Sequence, residues 1–236
     1  TVTAADRRRA IDGALRAPFS QQGLRVEYTT YQLRGSGADT ERVMMSLAAE
    51  LPVAPAGAPP ADVVFAVRNV ADGRLAASGS DTIELPVVTR AGGTAGLGYY
   101  RVQFELPAGR YLMRAVVREP GGLLGSADRR FEVRALGGPS LTASDLILTS
   151  ADTEGLPVRT TVYADEAITG VLELYGRTAA QVGAVAVTAE LLELGKESAV
   201  TSGRAELQPV KTLPLGASRG ARVDIPLQGV QPGEYV

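Results

Sequence analysis

Between Gly98 and Leu136 the chain alternates apolar and polar residues with a period of two. Tyr100, Val102, Phe104 and Leu106 fall on one face, and Arg101, Gln103 and Glu105 on the other. That rhythm marks a sheet with one buried and one wet face. Three consecutive antiparallel strands are predicted here, Tyr99–Leu106, Tyr111–Glu119 and Asp128–Ala135, joined by turns at Pro107-Ala108-Gly109 and Pro120-Gly121-Gly122. A tyrosine at the head of the second strand suits the corner of an immunoglobulin-like sandwich, where its hydroxyl bonds back to upstream backbone.

Upstream, Thr3-Ala-Ala-Asp6 has capping-box spacing, Ile11, Ala14 and Leu15 follow at helical intervals, and Pro18 stops the pattern, so Thr3–Ala17 is expected to be a short amphipathic helix. Strands are expected at Leu24–Leu33, with a bulge between Tyr28 and Tyr31, and at Arg42–Leu51. Pro52–Pro60 reads as an exposed loop. Asp62–Val70 and Arg74–Ser80 should form a hairpin about Ala71-Asp72-Gly73, followed by a strand Asp81–Arg90 bent at Pro86 and a loop Ala91–Gly98. The loop glycines lack the Gly-Lys-Ser/Thr of a phosphate loop.

Leu136-Gly-Gly-Pro139 is the expected domain boundary. Beyond it, strands are expected at Leu141–Leu148, Val158–Ala164, Gly170–Tyr175, Ala184–Leu194, Arg204–Leu213 and Ala221–Leu227, with a turn at Leu194-Gly195. The final Val223-Asp-Ile-Pro-Leu-Gln-Gly-Val-Gln-Pro-Gly-Glu-Tyr-Val236 echoes Val102-Gln-Phe-Glu-Leu-Pro-Ala-Gly-Arg-Tyr-Leu112: a strand, a Pro/Gly turn, then Gly-x-Tyr-aliphatic. Two strands follow that tyrosine in the first copy, so the natural polypeptide is expected to continue beyond Val236, or the missing strands to come from elsewhere.

The resulting fold class is all-β: two tandem immunoglobulin/fibronectin III-like sandwiches with a short N-terminal helix. The expected parts are a helical leader over 1–19, a first sandwich over 20–136, a linker at 137–140 and a second, truncated sandwich over 141–236. A length of 236 residues agrees with two domains at roughly 100–150 residues each.

Composition narrows the chemistry. The net charge of −2 offers no field for nucleic acid or an anionic membrane, and no run approaches the roughly 18 apolar residues of a spanning helix. Thr1 is expected to be a processed or excised start, so a missing signal peptide says nothing about export. There is no cysteine and no histidine, which removes disulfides, thiolate and imidazole ligands and the Ser-His-Asp triad together.

The remaining candidates each have an ordinary structural reading. Arg7, Arg8 and Arg9 splay around a helix and are expected to be a solvated face. Asp165-Glu166 and Asp152-Thr-Glu154 could pair for glycoside hydrolysis, but they sit in expected turns, and the chain has no tryptophan for a sugar platform. Asp145, Asp152 and Glu154 are the best group for Ca²⁺, yet the spacing is generic. Lys196 and Lys211 are the only lysines, and neither Ser-x-x-Lys nor Gly-x-Ser-x-Gly occurs. Tyr99 and Tyr100 point to opposite faces, one core and one available for contact. No catalytic, cofactor-binding or metal-ligating residue is assigned, and no cofactor is expected.

Ala10–Gln32 (AIDGALRAPFSQQGLRVEYTTYQ), Gly109–Glu119 with Leu124-Gly-Ser126, and Leu141-Thr-Ala-Ser-Asp-Leu-Ile-Leu148 resemble the region downstream of the von Willebrand factor A-like domain in bacterial VWFA-related exported proteins. The resemblance implies tandem β-sandwich modules on an extracytoplasmic protein, periplasmic, surface-bound or secreted. The family's Asp-x-Ser-x-Ser metal motif does not occur, so no metal residue carries over. The function expected is a non-enzymatic protein-interaction or spacer module with an unidentified protein partner, using strand edges or the loops Pro52–Pro60 and Ala91–Gly98. A carbohydrate- or cell-envelope-binding module with a glycan ligand is the alternative, and an enzyme stands third.

Overall fold

A computed structural model describes residues 3–87, 95–150, 167–214 and 216–236. The fold is all-β with a short N-terminal helix. The chain forms two compact units, residues 1–30 with 43–134, and residues 31–42 with 135–236.

In the first unit, helix α1 (Ala4–Arg16) starts at Thr3, whose side chain accepts from the Asp6 N–H while the Asp6 carboxylate takes the Thr3 N–H. This is the capping box read in the sequence. The strands are β1 (Val26–Arg34), β2 (Glu41–Pro52), β3 (Ala61–Asn69), β4 (Leu75–Ile83), β5 (Ala95–Leu106), β6 (Gly109–Arg118) and β7 (Leu124–Val133), residues 31–34 of β1 and 41–42 of β2 falling in the second unit. They build two facing sheets, β1-β2-β5 and β4-β3-β6-β7. Alternate residues of each meet in one core: Val43, Met45, Leu47 and Leu51 from β2, Val63, Phe65 and Val67 from β3, and Tyr111, Met113, Ala115 and Val117 from β6. Tyr100, Val102, Phe104 and Leu106 of β5 join them, as their alternation requires.

The stretch read as three antiparallel neighbours is therefore corrected. β6 and β7 do pair, but β5 belongs to the opposite sheet, and Pro107-Ala108 arches between sheets. Both flanking strands bury their apolar face in the same core, so local alternation cannot distinguish an arch from a hairpin. β7 also begins at Leu124 rather than Asp128. No separate strand spans Asp81–Arg90: Asp81–Ile83 extend β4, and 88–90 lie outside the described residues. Of the expected loop Ala91–Gly98, residues 95–98 are in β5 and the rest lie outside.

Helix α1 covers the outer face of the second sheet, packing on β6, β3 and β7 with Ile11 and Ala14 buried. The connection after it lies along β7: Ser126 N–H donates to Gln21 O, Gln21 N–H to Ser126 Oγ, and Leu24 N–H to Leu124 O. These bonds occupy the outer edge of β7.

In the second unit the strands are β8 (Thr142–Ala143), β9 (Ile147–Ser150), β10 (Ala167–Gly176), β11 (Thr188–Leu192), β12 (Ala199–Arg204), β13 (Glu206–Leu207), β14 (Lys211–Leu213) and β15 (Gly216–Pro226). β10 and β15 pair over ten residues; β8 and β9 lie on β10, and β13 and β14 on β15. β11 and β12 form a two-stranded sheet whose Ala189 and Leu191 pack with Ile168, Val223 and Ile225 of the larger one. A second helix, α2 (Ala179–Gly183), lies between the expected strands Gly170–Tyr175 and Ala184–Leu194; Thr178 caps it and Val182 anchors it. Two expected strands are broken, Leu141–Leu148 into β8 and β9, and Arg204–Leu213 across β12, β13 and β14. Val158–Ala164 lies outside the described residues.

The repeated Gly-x-Tyr phrase has one geometry in both units. Tyr111 donates its hydroxyl to Pro107 O at 2.9 Å, and Tyr235 donates to Gln231 O at 2.6 Å, each four residues upstream. Gly109 and Gly233 lie under the rings, where an added Cβ would come within 3.5 and 3.3 Å of ring carbons.

Candidate functional site

Two groups of titratable side chains, one in each unit, tie separate segments together. In the first, the Arg114 guanidinium forks onto Asp128 with both bonds at 2.5 Å, and also reaches the carbonyls of Ala14 (3.1 Å) and Ala17 at the end of α1. The bond to Asp128 raises the Arg114 pKa. Close by, the Tyr28 hydroxyl donates to Met113 O at 2.6 Å, and burial pushes its pKa up. This arrangement clamps a helix terminus, where a cation complements the free carbonyls.

In the second unit the 31–42 hairpin is held by side chains. Asp145 accepts from Gln32 N–H at 2.8 Å, and the Tyr175 hydroxyl accepts from Arg34 N–H at 3.0 Å while donating to Glu173 at 2.8 Å. Glu41 accepts from Leu136 N–H at 2.6 Å with one oxygen and from Gly35 N–H at 3.1 Å with the other. Ser144 takes the Glu173 N–H at 2.9 Å. Carboxylates that meet backbone N–H groups in this way act as local caps. Sequence reasoning missed this cluster, because a glutamate opening a strand looks like any solvated residue.

Burial also raises the Tyr175 pKa. Unfolded tyrosine titrates near pH 10, so Tyr28 and Tyr175 keep their protons in the fold at a pH where the unfolded chain loses them. Stability from this source is intact below about pH 10 and falls above it, by up to about 1.4 kcal/mol per pH unit for each ring. Urea unfolding at pH 8 and pH 11 should show the drop, and Tyr28→Phe should shrink it. An unchanged drop in that variant would refute the assignment.

The candidates read from the sequence do not converge. Arg7, Arg8 and Arg9 are exposed, and Arg9 pairs with Asp6 at 3.4 Å. Lys196 pairs with Glu193 at 2.6 Å on the β11–β12 turn, whereas Lys211 lies on β14. Tyr100 packs on the first core and Tyr99 is half-buried. Asp152, Glu154, Asp165 and Glu166 lie outside the described residues. Among the described residues no group of three or more acidic side chains could hold a metal ion, and no helix is long and apolar enough to cross a membrane. Of the expected loop Pro52–Pro60, Pro52 ends β2 and residues 53–60 connect β2 to β3, with Ala54 N–H bonded to Pro86 O.

A surface feature stands out instead. Among the described residues nothing pairs with the outer edge of β4. Val70 N–H donates to Arg110 O and Asn69 N–H to Arg74 O, so odd-numbered β3 residues bond toward β4. Their partners Ala77, Gly79 and Asp81 therefore face β3, and the backbone groups of Ser78 and Ser80 point outward. Thr82 N–H is taken by Asp81 Oδ1 at 2.8 Å, which closes one end. Gly79 is required here, since a Cβ would meet the Phe65 ring at 2.5 Å.

The comparisons offer no relative. No family model, curated protein or solved structure matches the chain.

Proposed function

We propose that the chain is a non-enzymatic protein-interaction or spacer module of an exported bacterial protein, of the VWFA-related kind its sequence resembles. The observation that carries this reading is how its polar side chains are used. Arg114, Asp128, Glu41, Asp145 and Tyr175 bond to one another or to backbone and tie segments together, while among the described residues the outer edge of β4 has no paired strand. Open strand edges are a common route to protein recognition through main-chain hydrogen bonds. The test is affinity capture from bacterial envelope extract on immobilised chain, run beside a glycan array. A saturable protein partner supports the proposal. Glycan binding without a protein partner would replace it with the carbohydrate-binding alternative, and turnover of any substrate would refute it.

A further inference from the structure

We infer that the β4 edge pairs antiparallel with β4 of a second copy of this chain, making a continuous sheet across a two-fold axis at Gly79. The inference rests on the interaction-module reading but names its own partner. A two-fold interface must be complementary to itself, and β4 meets that condition. With Gly79 on the axis, Ser78 of each copy lies opposite Ser80 of the other, both exposed on the outer face and both presenting free backbone groups. About four main-chain hydrogen bonds then close across the axis.

Charge favours the antiparallel orientation. Arg74 and Glu84, both exposed, flank the strand, and antiparallel pairing about Gly79 brings the Arg74 end of each copy to the Glu84 end of the other. Opposed unlike charges favour a register and like charges disfavour it. Asp81 lies opposite Ala77 of the other copy, so no carboxylates face each other. The bulge between β3 and β4 beside Val67 limits the ladder to Ala77–Thr82, which predicts a reversible, concentration-dependent dimer. The contrast with β7 supports the assignment: that edge is occupied by residues 21–24, whereas among the described residues nothing pairs with the β4 edge.

The test is sedimentation equilibrium of the whole chain over a broad concentration range. A monomer–dimer equilibrium is expected. Ser80→Pro removes an outward N–H that β3 does not use, and should weaken association at least about tenfold while leaving the thermal melt near that of the parent. Arg74→Glu and Glu84→Arg should each weaken it, and the double exchange should restore it. A monomer at all concentrations, or a dimer indifferent to Ser80→Pro and to charge exchange, overturns the inference. Either result leaves the envelope-capture experiment to judge the broader reading separately.

Discussion

Arg114→Ala is expected to destabilise the first unit by about 2–4 kcal/mol and to release helix α1 from the sheet. The side chain makes a forked ion pair with Asp128 and bonds to the carbonyls of Ala14 and Ala17, and it is 14% exposed. A helix of 13 residues is marginal in water on its own, so its persistence depends on docking. The capping box holds the first turn, and Arg114 holds the last. Without the guanidinium, Asp128 keeps the Ser20 hydroxyl at 3.4 Å, the Ala17 carbonyl loses this donor, and Ala14 O retains the Ala17 N–H at 3.4 Å. Val116, 1% exposed on the outer face of the sheet, would meet water if the helix left. Amide exchange along α1 should accelerate well before global unfolding, and the urea midpoint should fall. Arg114→Lys keeps the charge but not the planar fork, so it should recover only part of the loss. Unchanged exchange along α1 in Arg114→Ala would show that Ile11 and Ala14 alone hold the helix.

Much of the local structure was legible from spacing. The Thr3/Asp6 box, the β5 alternation and the turns at Gly73 and Gly195 are written in short range, since each depends on residues a few positions apart. Gly73 and Gly195 have φ of 69° and 81°, a region open to glycine at little cost. What failed depends on partners remote in sequence. The arch at Pro107-Ala108 joins two strands with the same face buried, so its ends gave no sign of belonging to different sheets. β4 was cut short at Ser80, because Asp81 occupies a position whose phase calls for an apolar residue; its carboxylate caps Thr82 instead. Helix α2 was hidden in a run of alanines and valines that suits either period, and Thr178 with Gln181 was its one local mark. The assignment of 31–42 to the second unit was beyond local reading, since Gln32 and Asp145 are 113 residues apart. Neither polar cluster was visible for the same reason: each is assembled from single residues on separate strands.

Glu41→Ala tests that long-range assembly directly, and should cost the second unit about 3 kcal/mol. The carboxylate takes the backbone N–H groups of Leu136 and Gly35, and both Glu41 and Leu136 are buried. Truncation leaves two donors with no acceptor and little access to water, which is costlier than the loss of one exposed bond. Glu41→Gln separates the roles of shape and charge. Its amide retains one oxygen acceptor but turns an NH₂ toward an N–H that needs an acceptor, so it should recover less than half of the loss. Amide exchange at Gly35 and Leu136 should rise in both variants, and at Arg34 as well, since its N–H bond to Tyr175 sits on the same hairpin. Exchange at Val63 and Met113, in the core of the first unit, should stay near its parent rate. If Val63 and Met113 lost protection together with Gly35, the hairpin would be acting as part of the first sandwich, and the division of the chain at residues 31 and 42 would have to be redrawn.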